Sequence, residues 1–166
     1  MKDLIIISGA PGSGKSTIAK LLQEKLKSPY IDFGWMREWH LLSDWSDQSK
    51  EEESMAFDNL VYLLRNYIKH GYKNILVTDL QEGRVKELTS IFSVNELIVV
   101  SLIVDNDEEL KKRVLGERDS GFKNFEASIA WNRLVLNRSD LLNEYKLDNT
   151  HNNPIQTADQ ILELLV

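Results

Sequence analysis

The sequence predicts an α/β domain, a parallel sheet with helices on both faces. Three observations carry this. Short apolar runs alternate with longer amphipathic stretches along the chain, the pattern of strand–helix–strand units. Two runs, 74–79 and 97–104, are apolar at successive positions rather than at alternate ones, as in strands covered on both faces. A glycine-rich turn follows the first run directly and opens onto a helical pattern.

Composition sets the frame. A chain of 166 residues, 42% of them apolar, fits one globular domain spanning 1–166 and excludes a disordered chain. No apolar run approaches the ~18 residues of a membrane span. Met1-Lys2-Asp3 leads straight into the first strand, which leaves no room for a signal peptide. The absence of cysteine rules out disulfides and Cys-ligated metal and fits a cytoplasmic protein. A net charge of −6 disfavours nucleic acid as a partner. Polyphosphate can still bind where cations converge, so the positions of the arginines matter more than the sum.

The first strand covers about 3–8. Gly9-Ala10-Pro11-Gly12-Ser13-Gly14-Lys15-Ser16 follows it and fits G-x-x-x-x-G-K-[ST], the phosphate-binding loop. Gly9, Gly12 and Gly14 let successive N–H groups turn inward around a phosphate. The helix over about 15–27 aims its free N–H groups and dipole at the same place. Lys15 is placed for the β- and γ-phosphates, Ser16 for Mg²⁺ and Thr17 for the α-phosphate.

The second strand, about 29–33, ends at Asp32, on the carboxyl edge where ligands of open α/β sheets sit. Asp32 either accepts a proton from a substrate hydroxyl or caps the next turn. Phe33-Gly34-Trp35-Met36-Arg37-Glu38-Trp39-His40 follows, then Asp44, Trp45 and Asp47. Aromatic faces beside charged tips suit a pocket for a flat or sugar-like ligand, with Trp35 as a wall and Arg37 as an anion fork; a packed lid helix is the alternative. Together with the start of the next helix, about 33–60 reads as an acceptor-binding segment.

A helix over about 50–70 carries the apolar stripe Phe57, Leu60, Val61, Leu64, Ile68 and ends at Gly71. The third strand, about 74–79, closes on Asp79, which beside a phosphate loop is placed to hold a water on Mg²⁺. Arg84, on a helix over about 83–91, either points into the same cleft or lies on the helix surface. The fourth strand spans about 96–104. After it come a helix over about 107–118 with Arg113 and a glycine-bracketed stretch, about 116–124, with Arg118. A helix over about 124–142 then carries Arg133 and Arg138. Four arginines here form either a cationic lid or solvated helix faces with pairs such as Glu109–Arg113. A last strand, about 145–148, precedes a helix over about 154–165 with Asn153 as N-cap, Pro154 at N1 and Gln156 at N3.

The motifs over Gly9–Thr17, Asp32, Arg37, Asp79, Arg113 and Arg118 together resemble the small phosphate-loop kinases of the nucleoside monophosphate kinase-like group, with adenylate, shikimate, gluconate and chloramphenicol phosphotransferase relatives. The resemblance covers nearly the whole chain. It implies a three-layer phosphate-loop NTPase fold with five parallel strands in the order 2-3-1-4-5, ATP and Mg²⁺ as cofactors, and a lid closing over the γ-phosphate. Carried over to this chain, Lys15, Ser16 and Thr17 serve the nucleotide, Asp32 the acceptor, Arg113 the base and Arg118 the phosphates. Trp35, Arg37, Arg84 and Arg133 complete the expected acceptor side. The implied activity is transfer of the γ-phosphoryl group to a small molecule by a monomer or homodimer. The sequence departs from adenylate kinases, with Asp79-Leu80-Gln81-Glu82-Gly83-Arg84 in place of Asp-Gly-Phe-Pro-Arg, and from shikimate kinases, which have paired aspartates after the second strand. No Asn-Lys-x-Asp base reader of GTPases is present. The alternatives are a non-catalytic or regulatory nucleotide-binding protein and a nucleic-acid end kinase.

Overall fold

Aliphatic side chains on both faces place β1 (Leu4–Ser8), every residue of it buried, at the centre of the sheet. In the computed structural model, which describes residues 1–38, 49–116 and 121–165, β1 lies between β3 (Ile75–Thr78) and β4 (Leu97–Ile103). β2 (Tyr30–Asp32) flanks β3, and β5 (Glu144–Asp148) flanks β4. All pairings are parallel and the order is β2-β3-β1-β4-β5, as the resemblance implies. Parallel strands share one carboxyl edge. The residues after β1, β2 and β3 are therefore neighbours in space.

Alternation along the strands builds two cores. Leu4 and Ile6, with Ile75, Val77, Leu97 and Val99, meet α3 (Lys50–Lys69) and α4 (Glu82–Ile91) through Phe57, Leu60, Leu64, Val85 and Leu88. Ile5, Ile7, Ile98 and Val100 meet α1 (Lys15–Leu26) and α7 (Pro154–Glu163) through Ile18, Leu22, Ala158 and Ile161. Each large aliphatic or aromatic side chain buried this way is worth about 1.5–3 kcal/mol. The Asn153–Gln156 capping box starts α7 where expected, and Ser49 with Glu52 makes a second one at α3.

Two elements differ from expectation. Residues Phe33–Glu38 form α2, which leaves β2 without an intervening turn. Phe33 and Met36 are buried, whereas Trp35 faces outward. The helix expected over 124–142 ends early: α6 is Phe125–Asn137, and Arg138 is already extended. α5 (Asp107–Leu115) closes at Gly116. Trp39, His40, Asp44, Trp45 and Asp47 of the acceptor-binding segment, and Arg118 of the lid, lie outside the described residues. Among the described residues, no helix is long and apolar enough to cross a membrane.

Candidate active site

Gly14 is the N-cap of α1 in left-handed conformation (φ 102°) and brings no side-chain cap to the helix end. A Cβ there would sit 2.9 Å from Asn149 Nδ2, so the position suits glycine on two counts. The loop is held from its outer side. Ser128 Oγ donates to the Pro11 carbonyl (2.5 Å), and Asn149 Nδ2 to that of Ser13 (2.7 Å). Asn149 is fixed in turn by the Thr157 hydroxyl, 2.5 Å away. Lys15 Nζ donates to the carbonyls of Gly9 (2.8 Å) and Ala10 (3.1 Å). Ser13 Oγ is buried and has no hydrogen-bond partner among the described residues.

A cleft of about 530 Å³ opens beside this loop, lined by Gly14, Lys15, Thr17, Lys112, Arg113 and Asn149 among others. Arg113 is fastened to its wall. Nε donates to Glu109 (2.9 Å), Nη1 to the Asn149 carbonyl (3.0 Å) and Nη2 to the Thr150 carbonyl (2.7 Å). The planar guanidinium can still present a face.

Two strand-end carboxylates close on α2. Asp32 Oδ1 accepts from the Gly34 N–H (3.0 Å); Oδ2 accepts from the Tyr30 hydroxyl (3.2 Å) and the Thr78 hydroxyl (3.3 Å). Asp79 has a left-handed backbone (φ 61°), tolerated by Asp better than by most residues. Its Oδ2 accepts from Arg37 Nη2 at 2.7 Å. Arg37 also lies over the Phe33 ring, 5.5 Å from its centroid. Gly34 separates the carboxylates: a Cβ on it would lie 2.5 Å from Asp79 Oδ2 and 3.0 Å from Asp32 Oδ1. Burial pushes the Asp79 carboxyl above the usual range. Arg37 opposes that shift, Asp32 adds to it, and Lys15 opposes it again. Asp79 therefore feels the loop lysine on one side and the second carboxylate on the other.

The expected arginines separate in the structure. Arg37 joins the carboxylate pair. Arg84, expected on the acceptor side, instead ties α3 to α4. Nε and Nη2 fork onto Glu53 (3.0 and 2.5 Å), Nη1 reaches Glu87 (2.6 Å), and Cζ lies 4.3 Å from the Phe57 ring centroid. Arg133, also expected there, is an exposed residue of α6 paired with Asp107. Arg138 is not part of a lid. It joins Glu82 to Glu144, whose side chain is fully buried. The physical reason is common to the three: each finds a carboxylate on a neighbouring element, which a linear charge pattern does not reveal. Trp35 is 55% exposed, with its ring centroid 5.9 Å from that of Tyr30.

Several site residues escaped the sequence reading. Tyr30 steadies Asp32; burial pushes the Tyr30 hydroxyl above its ordinary value, against the opposing Thr78 and Ser16 hydroxyls. Its position two before Asp32 on one strand was an available signal, since alternate residues share a face. Glu82 accepts from the Ser8 hydroxyl at 3.4 Å, next to the loop. Asn149 and Gly34 had no signal beyond their positions after β5 and β2.

Known proteins share the sequence pattern and the fold. The chain is 28% identical over 162 residues to a protein of Pyrococcus abyssi named putative adenylate kinase, covering 98% of this chain and 83% of that one. It is 37% identical over 78 residues to a cytidylate kinase of Sulfurisphaera tokodaii, covering 45% of this chain and 43% of that one. Its fold superposes on a shikimate kinase of Bacteroides thetaiotaomicron with a TM-score of 0.70 at 14% identity, covering 98% of each chain. A sugar kinase of Janibacter sp. also gives 0.70, at 15% identity over 99% of this chain and 95% of that one. The family model described as an AAA domain matches residues 5–131, most of the chain from β1 into α6, and the chain belongs to that family.

Proposed function

We propose that the protein is a phosphotransferase that moves the γ-phosphoryl group of ATP to a small-molecule acceptor. One observation carries the reading: the carboxylates of Asp32 and Asp79 converge on Gly34, next to the phosphate loop and its lysine. A module that only senses a nucleotide has no need of a second carboxylate on the acceptor side. The kinase names of relatives that match nearly the full chain support the same reading.

The residues fit both parts of the cofactor. An uncapped helix start, a loop tethered through its carbonyls and an orphaned Ser13 hydroxyl suit an anion. For the cation, the Ser16 hydroxyl and the Asp79 carboxylate are hard oxygen donors. Among the described residues, no group of three or more Asp, Glu, His or Cys could cage a metal, which suits Mg²⁺ held by few protein ligands with phosphates and water. When bound, Mg·ATP supplies the transferable group and neutralises its charge.

The chain's own residues do the rest. The loop N–H groups and the start of α1 hold the phosphates, and Lys15 leaves the Gly9 and Ala10 carbonyls for the β- and γ-oxygens. Ser16 and Asp79 orient the cation's side. Arg113 offers its face to the base, Thr17 its hydroxyl to the α-phosphate, and Arg118 its charge to the transferred group. Asp32, steadied by Tyr30 and Thr78, takes the proton of the acceptor hydroxyl as the new O–P bond forms. The bond from the γ-phosphorus to the bridging oxygen breaks in line, and ADP leaves.

The test is Mg·ATP-dependent ADP release against a panel of nucleosides, nucleotides, sugar acids and polyols, with Asp32→Asn in parallel. Stimulation by one class, lost in the variant, is expected. Tight ATP binding with no acceptor stimulating release would overturn the reading. Gly34→Ala gives a second prediction. Its methyl group must displace the Asp79 carboxylate, so kcat should fall roughly 10²-fold. The melting temperature should stay within a few degrees, because the end of a side chain, rather than backbone, has to give way. Wild-type turnover in Gly34→Ala would show that the placement of Asp79 is immaterial.

A further inference from the structure

We infer that the acceptor is an alcohol carrying no phosphate or carboxylate, either neutral or amine-bearing, and that Glu82 and Glu53 enforce this choice. The inference rests on the phosphotransferase reading and narrows its acceptor.

An anionic acceptor needs guanidinium or ammonium groups to receive it. Among the described residues, three arginines near the candidate site, Arg138, Arg84 and Arg37, each hold a carboxylate. Arg138 Nε donates to Glu82 Oε2 (2.7 Å), while Nη1 and Nη2 each donate to Glu144 (2.7 Å) and Nη1 also reaches the Ser139 carbonyl (2.9 Å). Arg84 has three donor contacts to Glu53 and Glu87, and its face covers the Phe57 ring. Arg37 donates to Asp79. A ligand anion could take the Arg138 or Arg84 fork only by expelling a partly buried carboxylate, which then lacks its counter-charge; Arg37 spends one donor on Asp79, and its Nε has no hydrogen-bond partner among the described residues.

Glu82 is placed for more than this pairing. It is the first residue of α4, immediately beyond the carboxyl edge, and its other oxygen accepts from Ser8, the last residue of β1 before the loop. Glu82 and Glu144 share the single guanidinium of Arg138, so this cluster beside Ser8 is net negative. The first turn of α3 adds acidic residues, Glu51, Glu52 and Glu53. Repulsion of a wrong charge is an effective means of selection. The exposed Trp35 ring beside Tyr30 offers an apolar face suited to a sugar or aromatic ring, or to an ammonium group. The inference parts this chain from the anionic acceptors in the names of its relatives.

Matched acceptor pairs test it. The wild-type protein is assayed for kcat/KM of ADP release with adenosine against AMP, cytidine against CMP, and sorbitol or glucosamine against gluconate. The non-anionic member should be preferred by at least about tenfold. Preference for the anionic member would overturn the inference and leave the kinase reading intact. Absence of turnover with every member, despite Mg·ATP binding, would overturn both. In Glu82→Gln, with Glu53→Gln as the second variant should the first fail to fold, the ratio of anionic to non-anionic kcat/KM should rise about tenfold. An unchanged ratio in a folded variant that binds ATP normally would remove these carboxylates from the account.

Discussion

Lys15→Ala should lower kcat by on the order of 10²–10³-fold, the cost of deleting one preorganised charge donor at a centre where negative charge develops. The argument starts from what the lysine does without nucleotide. Its ammonium donates to the Gly9 and Ala10 carbonyls of its own loop, so it is already tethered at the cradle it must serve. A phosphate oxygen is a stronger acceptor than a carbonyl, and exchanging one for the other requires only a short movement of the stem. The same lysine is close enough to draw the Asp79 carboxyl downward against the effect of burial. Its removal therefore acts twice, by withdrawing a phosphate contact and by making Asp79 harder to ionise. The acid limb of the pH–rate profile should move to higher pH in the variant, because a carboxylate whose nearby cation is lost protonates more readily. The melting temperature should change little. Turnover within about tenfold of wild type, with an unmoved acid limb, would mean that the nucleotide site has been misassigned.

The phosphate loop was legible because its chemistry is local: eight consecutive residues, a strand before and a helix after, contain the whole device. Asp32 and Asp79 were legible for a related reason. Parallel strands share a carboxyl edge, so residues distant in sequence are brought together by topology alone. The helix α2 was legible only as one of two readings, a packed helix beside a ligand pocket. Gly34 and the aromatic neighbours around it are poor helix formers. The fold overrides that propensity by burying Phe33 and Met36 in the core, the Phe33 ring edge-on to Phe57 at 6.1 Å. The arginines were legible as charges but not as partners. Arg84 meets Glu53 across 31 residues, and Arg138 meets Glu82 across 56. Which carboxylate captures which guanidinium depends on how helices pack, and periodicity within one helix carries no record of that. The early end of α6 belongs with these. Arg138 turns out of helical conformation where its side chain closes on Glu144, and the Leu141 N–H donates to the same carboxylate at 2.6 Å.

Glu144→Gln should be the most damaging single change to stability outside the two cores, at about 3–5 kcal/mol. The Glu144 side chain is fully buried on β5, and the partnered Arg138 is 19% exposed. Burial alone would raise the Glu144 carboxyl, but the Arg138 guanidinium, the Ser101 hydroxyl and the Leu141 N–H outweigh it and hold the group below the usual carboxylate range. Glutamine keeps the shape but removes the charge and turns one acceptor into a donor, facing an arginine that cannot deprotonate. For a domain of this length each kcal/mol moves the melting temperature by about 2–4 °C, so a drop of roughly 6–20 °C is expected in thermal denaturation near neutral pH. The sign of the pH dependence follows from the lowered carboxyl. Its contribution is fully present above the unfolded value of about 4.3 and is lost as pH falls through the folded one. The gap between wild type and Glu144→Gln should therefore narrow in acid. Replacing both partners, Glu144→Leu with Arg138→Met, should cost less than Glu144→Gln alone, since an apolar pair of similar volume often replaces a buried ion pair without cost. A loss below about 1 kcal/mol would put the pair among the weak surface bridges. It would also imply that Glu82, rather than Glu144, is what keeps Arg138 from an incoming anion.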